Sequence, residues 1–299
     1  MSFLKRFAPI DIATLLYVGG TTAALLLFGR ADRAAAWLLT AHVLVVSVVL
    51  LAPRLRQAGP FGRFMAEWYS IIMVTALYAE IGVLNLGFGH HHDAAIQQLE
   101  QVVFGSQVSY RWIREMPNPV LSWVLHSCYL SYFAILVAAP LGQWISGRRQ
   151  GARLTIFAIM STLYFCYLVS LFFPVTGPRY AFPLAHNAAT EVLPARAAQW
   201  LLNGADSWGA AFPSSHVAAS LVATLCALRF WRPLGLALTP LTIGLVLGVV
   251  YGQFHYGVDA LCGIVVAAVV VTSLNRGVWW DQAATRRPAA QLESTPLRL

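Results

Sequence analysis

Charged residues are scarce in this sequence of 299 residues. Asp, Glu, Lys and Arg make up 11% of it and hydrophobic residues 58%, whereas soluble domains carry about a quarter charged residues. This shortage excludes an ordinary soluble globular domain. Apolar runs long enough to cross a bilayer, about 20 residues each, recur along the chain. The composition therefore predicts an all-α, polytopic membrane protein that folds as one helical bundle.

Cysteine and lysine are also scarce. The cysteines lie in apolar segments without C-x-x-C spacing, which predicts small core residues rather than a redox or zinc motif; they are Cys128, Cys166, Cys226 and Cys262. The net charge of +8 is spread over the ends of apolar runs, so it does not indicate a nucleic-acid partner. No A-x-A cleavage site follows the basic N-terminus, which predicts an uncleaved first span.

Eight apolar segments have the length of membrane spans. They lie near 11–29, 34–52, 66–86, 119–140, 154–173, 213–230, 234–253 and 257–275. The first two form an N-terminal unit, residues 1–65, and the other six form a membrane core, residues 66–275. The remaining residues, 276–299, are polar and contain proline, which predicts a disordered cytoplasmic tail.

The basic residues predict the orientation of these spans. With the N-terminus in the cytoplasm and eight spans, most of the 20 basic residues fall in cytoplasmic segments, as the positive-inside rule requires. Both termini are then cytoplasmic. A composition rich in alanine and arginine, with Lys5 as the single lysine, is typical of a GC-rich bacterial genome. We therefore expect a bacterial inner-membrane protein whose outer face meets the periplasm.

Two outer segments are long. In 87–118, apolar and polar residues alternate in blocks, which predicts a helix lying along the membrane interface. Loops as long as 174–212 usually either carry function or are disordered. In the seventh span, small residues recur every fourth position at Gly244, Gly248 and Gly252, which predicts close packing against another helix.

Polar residues within or beside the spans need an explanation, because ionisable groups are costly in a bilayer. In "YGQFHYGVDALCG", His255 and Asp259 are four residues apart and would share one face of a helix. The carboxylate would accept a hydrogen bond from one imidazole nitrogen and leave the other as a nucleophile or base. The alternative is a structural His–Asp pair that joins two helices.

A second polar cluster opens the sixth span in "AFPSSHVAAS". Pro213 suits a first helical turn, and Ser214 or Ser215 would cap it. The backbone N–H groups of such a helix start attract anions, above all phosphate, and His216 would lie beside that anion. The alternative is an ordinary capped helix with a histidine at the interface.

A third stretch, "TGPRYAF", contains a turn at Gly177 and Pro178 that presents Arg179. A guanidinium at the membrane surface suits phosphate binding, although an interfacial arginine that snorkels to headgroups would look the same. The predicted topology places Arg179, His216 and His255 on the same outer face. This convergence favours a phosphate site.

Together these stretches resemble the type 2 phosphatidic acid phosphatase superfamily of lipid phosphatases and haloperoxidases. "GPRY" resembles its first block, "PSSH" its second, with Ser215 where glycine is usual, and "HYGVD" its third. Two phosphate-binding cations of the family are missing, because Phe172 and Val249 stand at their positions. "FPSSHV" and "HYGVD" are similar to the inositolphosphotransferase-like branch, which is related to inositol phosphorylceramide synthase.

The resemblance implies a six-helix core and a two-step reaction on a lipid-linked phosphate. His255 would attack phosphorus and form a phosphohistidine, Asp259 would orient it, and His216 would protonate the leaving oxygen. The implied substrate-binding residues are Arg179, Tyr180, Ser214 and Ser215. No metal or cofactor is implied. Water as the acceptor gives a phosphatase, and an alcohol such as inositol gives a phosphotransferase.

Three further polar residues lie in the outer parts of predicted spans. Glu80, Asn85 and His126 lie at the depth of the site and would either shape a headgroup pocket or form hydrogen bonds inside the bundle. The "HHHD" stretch at 90–93 resembles a metal cluster, but no partner ligands follow at regular spacing, so it is predicted to be a solvated loop. A transporter with a His/Asp proton relay is the alternative function, and a structural protein with a degenerate site is a third. The oligomeric state is not predicted by the sequence.

Overall fold

The computed structural model describes residues 6–28 and 33–275, and its regular structure in these ranges is helical. The helices are α1 Pro9–Phe28, α2 Arg33–Leu55, α3 Gly59–Ile72, α4 Val74–Phe88, α5 Asp93–Phe104, α6 Val108–Glu115, α7 Pro119–Leu130, α8 Tyr132–Ile145, α9 Arg149–Phe172, α10 Pro178–Ala181, α11 Leu193–Ala205, α12 Ser215–Phe230, α13 Arg232–Tyr251 and α14 Gly257–Asn275. The all-α prediction is confirmed. The predicted tail, 276–299, lies outside the described residues.

Each predicted span coincides with a helix or a helix pair, although not every one crosses a membrane alone. Six described stretches are long and apolar enough to do so, namely α1, α2, α3 with α4, α9, α13 and α14. A seventh span is formed by α7 and α8 if their 49° bend is counted within one span. With 16 residues, α12 is about 24 Å long, shorter than the ~30 Å apolar core of a bilayer. The chain is a multi-pass membrane protein.

The short helix α12 is the centre of the bundle. It packs against α8, α9, α13 and α14, and its inner positions are small buried residues that include Ala218, Ala219 and Ala223. Small side chains allow the neighbouring helices to approach closely. The first turn of α12 is therefore surrounded by protein on several sides, at the outer end predicted for the site.

The glycines of α13 pack as predicted at two of three positions. A Cβ on Gly248 would lie 2.5 Å from the backbone oxygen of Leu125, and a Cβ on Gly244 would collide with Cys128, both on α7. Gly252 instead lies against the ring of Phe254, in the turn that follows the same helix. Cys128, like Cys166 and Cys226, is buried, and Cys262 is half-buried, which agrees with their predicted role as small core residues.

The two N-terminal helices, α1 and α2, pack against the helices of the predicted membrane core, and α2 supplies a hydrogen-bond partner for one of its polar residues. Helix α1 contacts α9 and α2. Glu80, on α4, lies 2.9 Å from Nε2 of His42 on α2. Glu80 is predicted either to shape a headgroup pocket or to form a hydrogen bond inside the bundle. The contact with His42 supports the hydrogen bond inside the bundle.

The two long segments that are predicted to lie on the outer face contain short helices. Segment 87–118 forms α5 and α6, and segment 174–212 forms α10 and α11. Helix α5 is amphipathic and contacts α14, and it buries Asp93 and Glu100. The predicted helix in the first segment is present, and its polar face is turned partly toward protein.

Candidate active site

Backbone pairing joins the loop that carries Arg179 to the chain that leads into α12. The Val175 N–H donates to the Gly209 carbonyl at 3.0 Å, and the Ala211 N–H donates to the Val175 carbonyl at 2.9 Å. This isolated parallel bridge holds two of the three predicted motifs side by side.

Asp93 anchors the same loop from α5. Its carboxylate accepts hydrogen bonds from the backbone N–H groups of Thr176, at 2.8 Å, and Gly177, at 2.9 Å. Gly177 has a φ of 92°, which favours glycine. Burial raises the pKa of the Tyr256 hydroxyl, which stays protonated and donates to Asp93 at 3.0 Å. Asp93 thus connects the first motif to the third.

The prediction of a solvated "HHHD" loop is wrong for its last residue. The His91 side chain is 52% exposed, but Asp93 is buried. The amphipathic pattern of 93–104 marks a buried helix face, yet it does not show that the carboxylate binds backbone groups more than 80 residues away in sequence. Only the folded loop supplies those N–H groups.

Ser214 caps α12, as predicted for one of the two serines. Its Oγ accepts from the Val217 N–H at 3.4 Å, and its own N–H donates to the Asp259 carbonyl at 3.1 Å. The Ser214 side chain is committed to its own helix and does not line a cavity. Ser215, by contrast, lines an apolar cavity beside His216.

The hydrogen bond predicted between His255 and Asp259 is replaced by another. His255 Nδ1 lies 2.8 Å from the carbonyl oxygen of Ala211 and 3.7 Å from Asp259 Oδ2. The reason is that α14 begins at Gly257, so His255 precedes the helix and the one-face spacing does not apply. The Asp259 carboxylate instead accepts the Tyr256 N–H at 2.8 Å.

This arrangement places a proton on Nδ1 of His255. A carbonyl oxygen only accepts, so His255 donates from Nδ1, and the neutral ring then presents a lone pair on Nε2. That Nε2 lies 3.3 Å from Nδ1 of His216, which is the donor when His255 is neutral. The two predicted catalytic histidines, 39 residues apart in sequence, are in direct contact.

Arg179, His216 and His255 line one small cavity, here called the central cavity. Its volume is about 20 Å³, room for about one water molecule, so a phosphate enters only if the walls move. The other lining residues are Tyr78, Tyr129, Thr176, Leu202, Asp206, Ser207, Ala210, Ala211 and Phe254. The structure therefore brings the predicted arginine and both histidines together.

Arg179 and Tyr180 have partners that the sequence did not indicate. The Arg179 guanidinium donates to Gln199 Oε1 at 2.8 Å and to Asn203 Oδ1, both on α11. Tyr180 is half-exposed and donates to Asp206 Oδ2 at 3.1 Å. Of these two predicted binding residues, Arg179 lines the central cavity and Tyr180 does not.

Sequence reasoning missed two other residues of the central cavity. Asp206 accepts a hydrogen bond from the Tyr78 hydroxyl at 3.2 Å, and both line the cavity. Asp206 follows the end of an amphipathic helix, and Tyr78 belongs to a span. Neither position carries a pattern that separates it from ordinary interfacial residues.

Asn85 and His126 lie outside the central cavity. The Asn85 side chain donates to the carbonyls of Ser170 and Trp208, so it forms hydrogen bonds inside the bundle. His126 Nδ1 donates to the Ser122 carbonyl at 2.9 Å. His126 also lines a different, polar cavity, so this side chain has both an internal hydrogen bond and a cavity beside it.

Two larger cavities flank the central one. The apolar cavity, about 250 Å³, shares Tyr78, Tyr129, Leu202 and His216 with it. The polar cavity, about 330 Å³, includes Gln199 and Asn203, the two acceptors of the Arg179 guanidinium. The central cavity therefore lies between an apolar and a polar space.

A family model described as "PAP2 superfamily" matches residues 94–273. The matched range contains Arg179, Ser214, Ser215, His216, His255 and Asp259. Asp93 and Tyr78, which also serve the site, precede it. No curated protein and no solved structure matches the chain.

Proposed function

The chain belongs to the PAP2 superfamily, whose fold is a helical, phosphatase-type membrane fold, and we propose that it cleaves or transfers a lipid-linked phosphate through a phosphohistidine on His255. The observation that carries the proposal is the contact between His255 and His216 in a cavity that Arg179 also lines. A nucleophile, a proton donor and a phosphate-binding cation are the groups that two-step phosphoryl transfer needs.

In the first step, His255 Nε2 attacks phosphorus. A P–N bond forms, the P–O bond to the leaving group breaks, and His216, protonated on both ring nitrogens, gives one proton to the leaving oxygen and becomes neutral. The Nδ1–H of His255 stays hydrogen-bonded to Ala211. The imidazole becomes positively charged, and the Asp259 carboxylate at 3.7 Å stabilises that charge.

In the second step, His216 takes a proton from water or from an alcohol, whose oxygen attacks phosphorus while the P–N bond breaks. Arg179 stabilises the charge on the equatorial oxygens. The start of α12 adds partial positive charge near His216. Water gives a lipid phosphatase, and an alcohol such as inositol gives a phosphotransferase.

The apolar cavity supports a lipid substrate. Its wall is largely aromatic and aliphatic, and His216 stands at its boundary with the central cavity. The lipid part of the substrate would lie there, and phosphorus would enter between the two histidines as their 3.3 Å contact opens. The proton-relay transporter is less well supported, because His216, His255 and Asp259 are grouped together and Glu80 pairs locally with His42.

The test is a panel of lipid phosphates, with and without inositol, analysed by mass spectrometry of the products. Free phosphate without acceptor identifies a phosphatase, and an inositol phosphate identifies a transferase. The His216→Ala variant is expected to slow turnover by ~10²–10⁴-fold, as loss of a general acid and base does. Wild-type protein that is quenched during turnover of a radiolabelled lipid phosphate is expected to carry labelled phosphohistidine, and His255→Ala protein is not. Activity that survives in His255→Ala would overturn the proposal.

A further inference from the structure

The polar cavity has no role in the chemistry described so far. It is about 330 Å³ in volume, opens between α11 and the turn before α14, and includes polar side chains from three parts of the chain. The polar residues that matter here are His126, Glu191, Arg196, Gln199, Asn203 and Gln253. Glu191, Arg196 and Asn203 are exposed at its mouth, and His126 and Gln253 are buried.

Gln253 has the features of a residue kept for binding. Its φ is 60°, a left-handed conformation that costs a side-chain-bearing residue free energy and is found at functional sites. Its Oε1 accepts the Ala185 N–H at 3.2 Å, which fixes the orientation of the amide. Its Nε2 is buried without a hydrogen-bond partner, and such a group is costly unless a ligand satisfies it.

The opposite wall is one face of α11. Arg196, Gln199 and Asn203 are spaced three and four residues apart and therefore lie on one side of the helix. The amide oxygens of Gln199 and Asn203 accept from Arg179, the proposed phosphate ligand. A group bound in this cavity would therefore be next to the phosphate.

The charges of the wall favour a neutral ligand. Glu191 and Arg196 carry opposite charges, and Gln199, Asn203 and Gln253 are uncharged amides that both donate and accept hydrogen bonds. A site for a second phosphate would need an excess of cations. Hydroxyl groups, which also donate and accept, suit amides best.

We infer that the polar cavity binds a polyhydroxyl group, with the Gln253 amide donating to one of its hydroxyls, beside the phosphate that Arg179 holds. The inference rests on the proposed function. The group is supplied either by the headgroup of a lipid phosphodiester or by a free polyol acceptor, and both present the same chemistry to the cavity.

Two variants of Gln253 test the inference. Gln253→Gly removes the amide and suits the backbone, whereas Gln253→Asn keeps an amide on a residue that tolerates positive φ. Gln57→Gly, in the exposed turn between α2 and α3, is the matched control. We measure kcat/KM for phosphatidylinositol and phosphatidylglycerol against phosphatidic acid, and KM for free myo-inositol as acceptor.

In Gln253→Gly we expect a five- to tenfold loss, about the effect of one hydrogen bond, either in kcat/KM for the phosphodiesters relative to phosphatidic acid or in the apparent affinity for myo-inositol. Gln253→Asn should recover part of that loss. A fall in the phosphodiester-to-phosphatidic-acid ratio identifies a headgroup, and a rise in KM for myo-inositol identifies an acceptor. Equal losses on every substrate, or none on any, overturn the inference.

A binding measurement separates this inference from the proposed function. Saturation-transfer NMR with myo-inositol is applied to His255→Ala protein, with and without Gln253→Gly. If no lipid phosphate is turned over but the signal depends on Gln253, the proposed function fails and the cavity assignment stands. If lipid phosphate is turned over but the myo-inositol signal is unchanged by Gln253→Gly, the proposed function stands and only the assignment of the polar cavity is contradicted.

Discussion

At the scale of single residues, the state of His255 depends on a backbone carbonyl. Ala211 accepts its Nδ1–H at 2.8 Å, while the Asp259 carboxylate stays 3.7 Å away and accepts the Tyr256 N–H. The carboxylate therefore places a negative charge near the imidazole and stabilises the turn at Tyr256. It is not needed to select the tautomer of His255. This division of roles has a measurable consequence.

The Asp259→Asn variant is expected to be impaired only moderately. The asparagine oxygen still accepts the Tyr256 N–H, and Ala211 still fixes the tautomer, so only the charge is lost. We expect phosphorylation of His255 to slow by about 10²-fold, well short of the ~10⁴-fold seen where the carboxylate itself holds the tautomer. Single-turnover kinetics measure this rate, and a loss as complete as that of His255→Ala would show that the charge is indispensable.

At the scale of elements, α5 holds two loops of the proposed active site in place. Asp93 in its first turn binds the N–H groups of Thr176 and Gly177, as well as the Tyr256 hydroxyl. It touches none of the proposed reacting atoms. Asp93 is thus a positioning residue, and its effect must pass through the placement of Arg179 and His255.

Asp93→Asn is expected to loosen that placement. An amide has one oxygen and would turn its NH₂ toward a backbone N–H, which costs about 1.5–3 kcal/mol for a hydrogen bond to a charged group. We expect a lower melting temperature and a kcat reduced at least tenfold, with KM changed less. Glu115→Gln, in an exposed ion pair on α6, is the control and should change neither value. An unaltered kcat in Asp93→Asn would remove the positioning role.

Packing between α7 and α13 depends on the absence of a side chain at Gly248. A Cβ there would lie 2.5 Å from the backbone oxygen of Leu125, so Gly248→Ala must push the helices apart. We expect a loss of roughly 1–3 kcal/mol in stability, as for other overpacked sites. Thermal unfolding in detergent measures it. Gly19→Ala, on α1 with open space around it, is the control and should be neutral or stabilising by up to ~1 kcal/mol.

At the scale of the whole molecule, the three cavities form a series. The apolar cavity meets the central cavity at His216, and the polar cavity adjoins it through the partners of Arg179. An amphipathic phosphate ester has the same order of parts, namely chain, phosphate and headgroup. The bundle therefore offers each part of such a substrate an environment of matching polarity.

The predicted orientation is testable on intact cells. Ala188→Cys lies in the exposed outer segment, and Gln57→Cys lies in the turn between α2 and α3. With both termini cytoplasmic, a membrane-impermeant maleimide should label residue 188 directly and residue 57 only after permeabilisation. The native cysteines are buried or half-buried, so a Cys-free background is the control. The reverse pattern would invert the topology.

The sequence by itself determined the helical membrane class and the positions of the apolar helices, and it selected Arg179, His216 and His255 as candidate site residues. These features depend on apolar run length, on turn residues and on short motifs, all of which are local in the chain. Even so, the sequence did not show that α12 is too short to cross alone, because its role as the central helix depends on the neighbours that surround it.

Only the tertiary structure decided the contacts that make a site of these residues. In the folded chain, His255 donates to the Ala211 carbonyl and not to Asp259, and Tyr180 donates to Asp206. Asp93 accepts a backbone hydrogen bond from the loop that carries Arg179. Each of these is a hydrogen bond between segments distant in sequence or to a backbone group. Such partners leave no trace in residue spacing, because any residue type can supply a backbone N–H or carbonyl once folding brings it there.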